Sequence, residues 1–168
     1  DFLAMSRTTF LNNSLTRLPF AGVAAFYKSL QLGRNGKRNN PFFYVSSSPW
    51  NLYDLLTDFF DLNEIVEGPL LLRDYGLSEN SENDNHQSHK LLEIKKILNT
   101  YPHLNFVLIG DSGQEDPKIY GEIVRQFPDR ILTIYIRDVQ VADREKIAVE
   151  ISQRLIASRV EMVIVDNT

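Results

Sequence analysis

The chain has 168 residues, enough for one domain with a hydrophobic core and too few for two comfortable ones. Its net charge of −4 provides no basic field for nucleic acid, and the absence of cysteine excludes disulfides and thiolate metal sites. No apolar run reaches the roughly 18 residues that a transmembrane helix needs. We therefore expect no nucleic-acid partner, no transmembrane segment and a cytoplasmic location.

The N-terminal part of the chain predicts a loose helix or lid followed by a first regular helix. Residues 1–19 mix apolar and aromatic side chains with Ser, Thr, Asn and Arg, and they are the only candidate for a lipid-facing lid. Val23, Phe26, Tyr27 and Leu30 then recur at helical spacing. The glycine- and asparagine-rich residues 33–40 predict a loop.

Strand and helix signals alternate through the rest of the chain. Short apolar, β-branched or aromatic runs predict strands at Phe42–Val45, Pro69–Arg73, Phe106–Ile109, Ile131–Ile136 and Val160–Val165. Helical periodicity begins near Pro49, His89, Asp116 and Val141. We expect Ser48 and Asp116 to cap helices that Pro49 and Pro117 open. This alternation predicts an α/β domain with right-handed crossovers and a parallel sheet. The polar residues 75–88 predict a loop.

Two carboxylates flank the loop that follows the Phe106–Ile109 strand. Gly110, Asp111, Ser112 and Gly113 stop the strand, and Asp116 begins the next helix. Open α/β sheets bind ligands at the carboxyl ends of their strands, and carboxylate oxygens suit Mg²⁺. The alternative, a turn aspartate and a capping aspartate with no metal, has about equal weight on this stretch alone.

Two further polar groups follow strands or begin helices in the same way. Ser46, Ser47 and Ser48 follow the predicted strand Phe42–Val45, and His89-Lys90 begins a helix. Hydroxyls, a cation and paired carboxylates suit phosphoryl transfer, which depends on positioning and charge neutralisation. A helix cap and a solvated lysine are the alternatives. If the sheet is parallel, Ser46, Lys90 and Asp111 should lie within about 10 Å of one another.

The order of these motifs resembles the haloacid dehalogenase superfamily of Asp-nucleophile phosphatases, and within it the actin-patch-associated phosphatidate phosphatases and their bacterial relatives. The matching strings are TRLPFAGVAAFY, PFFYVSSSPWNLYDLL, GPLLLRDYG, HK, FVLIGDSGQEDPKIY and IYIRDV. The resemblance covers nearly the whole chain. It implies a three-layer sandwich with a mainly parallel, Rossmann-like sheet, forming a single domain over residues 1–168.

The resemblance also implies roles for individual residues. Ser46, or second to it Ser47, would bind the transferred phosphoryl group, and Lys90 would steady the nucleophile and the phosphate. Asp111 and Asp116 would hold Mg²⁺ directly or through water. Arg73 could reach a substrate phosphate, as could Arg137, although an ordinary surface ion pair is the favoured interpretation for both arginines.

One motif of the superfamily is missing from the sequence. The D-x-D-x-T or -V string, which supplies the nucleophilic aspartate and its acid/base partner, occurs nowhere in the 168 residues. In relatives it would precede SRTTFLNN on an apolar strand at the centre of the sheet, so we expect it upstream of Asp1. The chain as printed should then be inactive by itself.

The resemblance implies a Mg²⁺-dependent phosphatase that hydrolyses a phosphomonoester through an aspartyl-phosphate. By family, the substrate would be phosphatidate at a membrane surface, and the product diacylglycerol. A non-catalytic phosphate-binding or interaction module on the same scaffold is the alternative. A nucleotide-binding domain is disfavoured because neither G-x-G-x-x-G nor a Walker lysine loop is present.

Overall fold

A computed structural model of the protein describes residues 21–37, 40–74, 86–139 and 142–165. The chain divides into two compact units, Asp1–Glu82 and Asn83–Thr168. The predicted lid at residues 1–19 and most of the predicted loop at residues 75–88 lie outside the described residues. The single domain over residues 1–168 stays a prediction.

The described residues of the first unit form a pair of parallel strands with two helices. Its elements are α1 (Val23–Leu32), β1 (Tyr44–Pro49), a 3₁₀ turn (Trp50–Leu52), α2 (Tyr53–Leu62) and β2 (Leu70–Arg73). Tyr44 pairs with Leu70 and Pro49 with Arg73, with a register shift between these points. The Tyr44 ring packs 4.6 Å from that of Phe60, so aromatic contacts tie β1 to α2.

The second unit is a three-stranded parallel sheet with crossover helices. Its elements are α3 (His86–Thr100), β3 (Phe106–Asp111), α4 (Asp116–Gln126), β4 (Ile131–Arg137), α5 (Ala142–Leu155), a 3₁₀ turn (Ile156–Ser158) and β5 (Glu161–Val165). The strands lie in the order β3-β4-β5. Because α4 packs on β3, β4 and α5, and α5 packs on β5, these two helices cover the same face.

The core of the second unit lies between its sheet and α4. Ile134 and Ile136 of β4 are completely buried, as is Ile123 of α4. Each such aliphatic side chain contributes about 1.5–3 kcal/mol when it leaves water. The carboxyl ends of β3 and β4 pair in register, Asp111 opposite Arg137. This core therefore fixes the strand ends from which the candidate site is built.

All five predicted strands and all five predicted helical segments are present, and the α/β class is confirmed. The strands pair in two sheets, one in each unit, where the sequence predicts one. The three-layer, haloacid dehalogenase-like arrangement stays a prediction. None of the described helices is both long and apolar enough to cross a membrane.

Two predicted helix caps are wrong. The chain stays extended through Pro49, which precedes a 3₁₀ turn, so α2 begins only at Tyr53 and Ser48 does not cap it. At α4 the N-cap position is Glu115, and Asp116 is already the first helical residue. Both helices begin without a side-chain cap: Ser48 lies within β1, before the 3₁₀ turn, and the Asp116 carboxylate bonds Lys90 and the Asp111 N–H instead.

Candidate functional site

Asp116 is held at the end of β3 by two different donors. Its Oδ2 accepts a hydrogen bond of 3.2 Å from the backbone N–H of Asp111. Its Oδ1 accepts a bond of 2.6 Å from Lys90 Nζ. The loop after β3 therefore closes on itself, and the first residue of α4 contacts the last residue of the strand.

A glycine is needed where this carboxylate meets the strand. A Cβ atom on Gly110 would lie 2.6 Å from Asp116 Oδ2 and 2.9 Å from its Cγ. Such distances are well inside van der Waals contact, so any larger residue must displace the carboxylate. Gly110 thus contributes to the site by leaving room for the Asp116 carboxylate, and Asp111 contributes by its charge.

Lys90 forms a buried ion pair with Asp116. The side chains are 11% and 5% exposed, and Nζ also donates to Gln114 Oε1 at 2.9 Å. The solvated lysine considered for this position is therefore wrong, as is the simple capping role of Asp116. Burying two charges is costly unless they are paired and hydrogen-bonded, which these are.

The sequence prediction missed a second buried cluster at the ends of β3 and β4. Ser112 Oγ donates to Asp138 Oδ1 at 2.9 Å and accepts from the Val139 N–H at 3.0 Å. Ser112 and Asp138 are only 1% and 4% exposed. An available signal was the carboxylate of Asp138 directly after the alternating β4 strand, within the IYIRDV string.

The carboxylates of the loop suit Mg²⁺ in kind. Among the described residues, no group of three or more His, Asp or Glu side chains is arranged to hold a metal ion. Proteins nonetheless often bind Mg²⁺ through one or two carboxylates, with water and phosphate oxygens completing the coordination. Asp116 already accepts bonds on both oxygens, whereas the half-buried Asp111 carboxylate ends the strand, so Asp111 is the better candidate ligand.

The other predicted site residues lie in the first unit. Ser46 Oγ accepts a hydrogen bond of 3.1 Å from the Ser48 N–H, and a hydroxyl in this position can still donate one. Ser47 lies beside it on β1, half-buried. A shared phosphate site that joins these serines to Lys90 and Asp111 stays a prediction.

The two arginines at strand ends differ in burial. Arg73 ends β2 opposite Pro49 and is only 7% exposed, so its side chain is not on the surface. Arg137 ends β4 opposite Asp111 and is half-buried. The structure thus gathers Lys90, Asp111 and Asp116 in one unit, while a phosphate-binding role for Arg73 remains a prediction.

Comparison with known proteins gives one family and two relatives. The profile of the family described as "Phosphatidate phosphatase APP1, catalytic domain" matches residues 1–138. Phosphatidate phosphatase APP1 of Saccharomyces cerevisiae is 33% identical over 138 residues, covering 82% of this chain and 22% of the yeast protein. The uncharacterized protein C29B5.04c of Schizosaccharomyces pombe is 35% identical over 98 residues, covering 57% of this chain and 16% of that protein.

The chain therefore spans about a fifth of the length of the curated relatives it matches. No solved structure matches it significantly. The matched range ends at Asp138, so it includes Lys90, the Asp111–Asp116 loop and all of β4.

Proposed function

The chain belongs to the family of phosphatidate phosphatase APP1 catalytic domains, and from this premise we propose that it hydrolyses a phosphomonoester. By family the substrate is phosphatidate at a membrane surface, and the products are diacylglycerol and inorganic phosphate. The family match over residues 1–138 carries the proposal. The buried Lys90–Asp116 pair beside Asp111 supports it, because it concentrates charge at a strand end.

Within this proposal the chain's own residues bind and orient the phosphate. Ser46 donates its hydroxyl to a phosphate oxygen, and Ser47 is the second candidate for the same contact. Lys90 offsets the negative charge of the phosphate while staying paired with Asp116. Arg73 is the further candidate contact. Positioning and charge neutralisation are the main requirements of phosphoryl transfer.

The attacking group in this proposal is an aspartate outside the printed residues, since no two aspartates in the 168 residues are spaced as D-x-D. Its carboxylate oxygen bonds to phosphorus as the bond from phosphorus to the glycerol oxygen breaks. The second aspartate of the D-x-D string gives its proton to the leaving glycerol oxygen and takes a proton back from the water that attacks next. Water then attacks phosphorus, releasing phosphate and restoring the carboxylate. A family member without such an aspartate would bind phosphate without turning it over.

Asp111 and Asp116 would hold Mg²⁺, which neutralises phosphate charge when it is bound. Asp111 carries the larger share, because Asp116 already accepts bonds from Lys90 and from the Asp111 N–H. The half-buried Asp111 carboxylate would then be the main residue that fixes the position of the cation.

The test is hydrolysis of phosphatidate and p-nitrophenyl phosphate by the full-length protein over a range of Mg²⁺ concentrations. Asp111→Asn should abolish Mg²⁺-dependent turnover, and Asp116→Asn should weaken it. Asp129→Asn is the matched control, because Asp129 is exposed at φ 66°, a conformation that asparagine tolerates. Wild-type turnover in Asp111→Asn would refute the metal assignment. Phosphate binding without any turnover in the unmodified protein would favour the non-catalytic module.

A further inference from the structure

Ser112 is the link between the candidate metal loop and the end of the neighbouring strand. Its N–H donates to the Arg137 carbonyl at 2.9 Å, and its hydroxyl joins the Val139 N–H to the Asp138 carboxylate. Three hydrogen bonds from one almost fully buried residue therefore fasten the loop after β3 to the backbone after β4. The Asp138 N–H in turn donates to the Val165 carbonyl at 2.9 Å, which anchors this backbone to β5.

Close packing reinforces these hydrogen bonds. A Cβ atom on Gly113 would lie 2.7 Å from Val139 Cγ2 and 3.0 Å from Asp111 Oδ1. Val139 on one side and the Asp111 carboxylate on the other thus fit against the bare backbone of Gly113. The segment 137–139 limits the path of the Gly113 backbone. That backbone in turn limits the positions open to the Asp111 carboxylate.

The carboxylate of Asp138 determines the direction of the hydrogen bonds at Ser112. Asp138 Oδ1 accepts the Ser112 O–H, which turns an oxygen lone pair of Ser112 toward the Val139 N–H. An asparagine could instead donate its amide to Ser112 Oγ and compete with Val139.

We propose that Asp138 is a positioning residue that acts through Ser112 to orient Asp111 toward the bound cation. This inference rests on the proposed function, in which Asp111 is the leading Mg²⁺ ligand. Groups that orient metal ligands from behind commonly change metal affinity about 10- to 100-fold when they are removed. Asp138 itself need not touch the metal or the substrate.

The experiment compares full-length wild type with Asp138→Asn, Ser112→Ala and the double variant. Mn²⁺ binding, followed by the electron paramagnetic resonance signal of the free ion, reports cation affinity without requiring turnover. The Mg²⁺ concentration for half-maximal p-nitrophenyl phosphate hydrolysis is measured in parallel. Each single variant should weaken both about 10-fold or more. The double variant should be no worse than the poorer single one, because the two residues act in one chain.

Thr133→Val is the matched control, since it also removes a hydroxyl hydrogen bond of β4, in this case to the Glu161 carbonyl at 3.1 Å. It should leave cation affinity unchanged even if it lowers the melting temperature. Amide hydrogen exchange at Val139 supplies a second measurement and should accelerate in Ser112→Ala. Slow exchange there in Ser112→Ala would contradict the linkage, even if Asp138→Asn failed to fold.

The outcomes separate this inference from the proposed function. Unchanged Mn²⁺ binding and Mg²⁺ dependence in both single variants would overturn the positioning role while wild-type hydrolysis left the function intact. Conversely, a wild type that hydrolyses no phosphomonoester would refute the function. Weakened Mn²⁺ binding by the variants would then still support the positioning role.

Discussion

At the scale of single residues, the site depends on side chains that serve two partners at once. Asp116 connects Lys90 to the backbone of Asp111, and Ser112 connects Asp138 to Val139. Side chains that bond two partners are sensitive to substitution, because removing one of them leaves buried polar groups without a hydrogen-bond partner. Three predictions belong to this scale.

Lys90→Met should destabilise the protein by about 3–5 kcal/mol, because it leaves the Asp116 carboxylate buried without its cation. Lys96→Met is the control. Lys96 forms an ion pair with Glu93 at the same 2.6 Å, but its side chain is 68% exposed. It should change the free energy of unfolding by no more than about 0.5–1 kcal/mol. Urea denaturation measures both, and equal effects would contradict the buried-pair interpretation.

Gly110→Ala should lower stability by about 1–3 kcal/mol, since the new methyl group forces the Asp116 carboxylate away from the strand. Gly121→Ala is a matched substitution in α4, where the added Cβ would lie 3.2 Å from Ile151 Cγ2. There the gain in helix propensity, about 1 kcal/mol, offsets the tight contact. Thermal unfolding should rank Gly121→Ala as the more stable of the two, and the reverse order would argue against close approach at Gly110.

Tyr44→Phe should reduce the dependence of stability on alkaline pH. Burial, and secondarily the nearby Tyr27, raises the pKa of Tyr44, whose hydroxyl donates to the Val66 carbonyl at 2.6 Å. Below pH about 10 both folded and unfolded forms are protonated, so this stabilisation is fully present. Above that pH the unfolded tyrosine ionises first, and stability falls as pH rises toward the folded pKa.

The measurement is the urea midpoint between pH 8 and 11, with the exposed Tyr53→Phe as control. Tyr44→Phe should be about 1 kcal/mol less stable at pH 8 and should lose less stability on going to higher pH. Identical pH profiles for wild type and Tyr44→Phe would show that the buried hydroxyl contributes nothing to this dependence.

At the scale of elements, Arg130 connects the C-terminal end of α3 to the start of β4, which begins at the next residue. Its guanidinium donates to the carbonyls of Tyr101 at 2.8 Å and Leu104 at 2.7 Å, and to Leu98 at 3.2 Å. A helix leaves its last carbonyls unsatisfied, and a cation there also suits the helix dipole. Because α3 carries Lys90, this cap stabilises the helix on which the buried ion pair depends.

Arg130→Met should therefore destabilise the C-terminal turn of α3 by about 1–2 kcal/mol. Hydrogen exchange should accelerate at the Tyr101 N–H, which donates to the Ile97 carbonyl. Arg125→Met is the control, because Arg125 pairs with Glu122 on the exposed surface of α4. Unchanged exchange at Tyr101 in Arg130→Met would show that the helix ends without help from this side chain.

At the scale of the whole molecule, the strands and helices were predictable and the contacts between them were not. Runs such as Phe106–Ile109 identify strands because burial on both faces requires continuous apolar sequence. The predicted cap at Asp116 is wrong because its carboxylate bonds Lys90, which lies 26 residues away in the chain. The Ser112–Asp138 bond likewise depends on the register of β3 against β4, and this parallel pair has no hairpin turn from which the register could be predicted.

The 168-residue chain by itself should not hydrolyse p-nitrophenyl phosphate, even at high Mg²⁺ concentration. Even if Asp111 and Asp116 hold a cation and Lys90 binds phosphate as proposed, none of them replaces an attacking carboxylate with an acid/base partner. The assay compares this chain with a longer chain that includes a D-x-D-x-T string. Equal rates would mean that a carboxylate within these residues is the nucleophile.

The hydrogen bond between the Asp111 N–H and the Asp116 carboxylate also restricts the length of the loop between these residues. Both ends are joined by the bond from the Asp111 N–H to Asp116, and the middle is fastened through Ser112 to the neighbouring strand. Four residues separate the two aspartates. An insertion or deletion among them could not keep both the bond from the Asp111 N–H to Asp116 and the bond from Ser112 to Asp138. The spacing of these aspartates should thus be a stricter signature for detecting distant relatives than the identity of exposed loop residues such as Gln114.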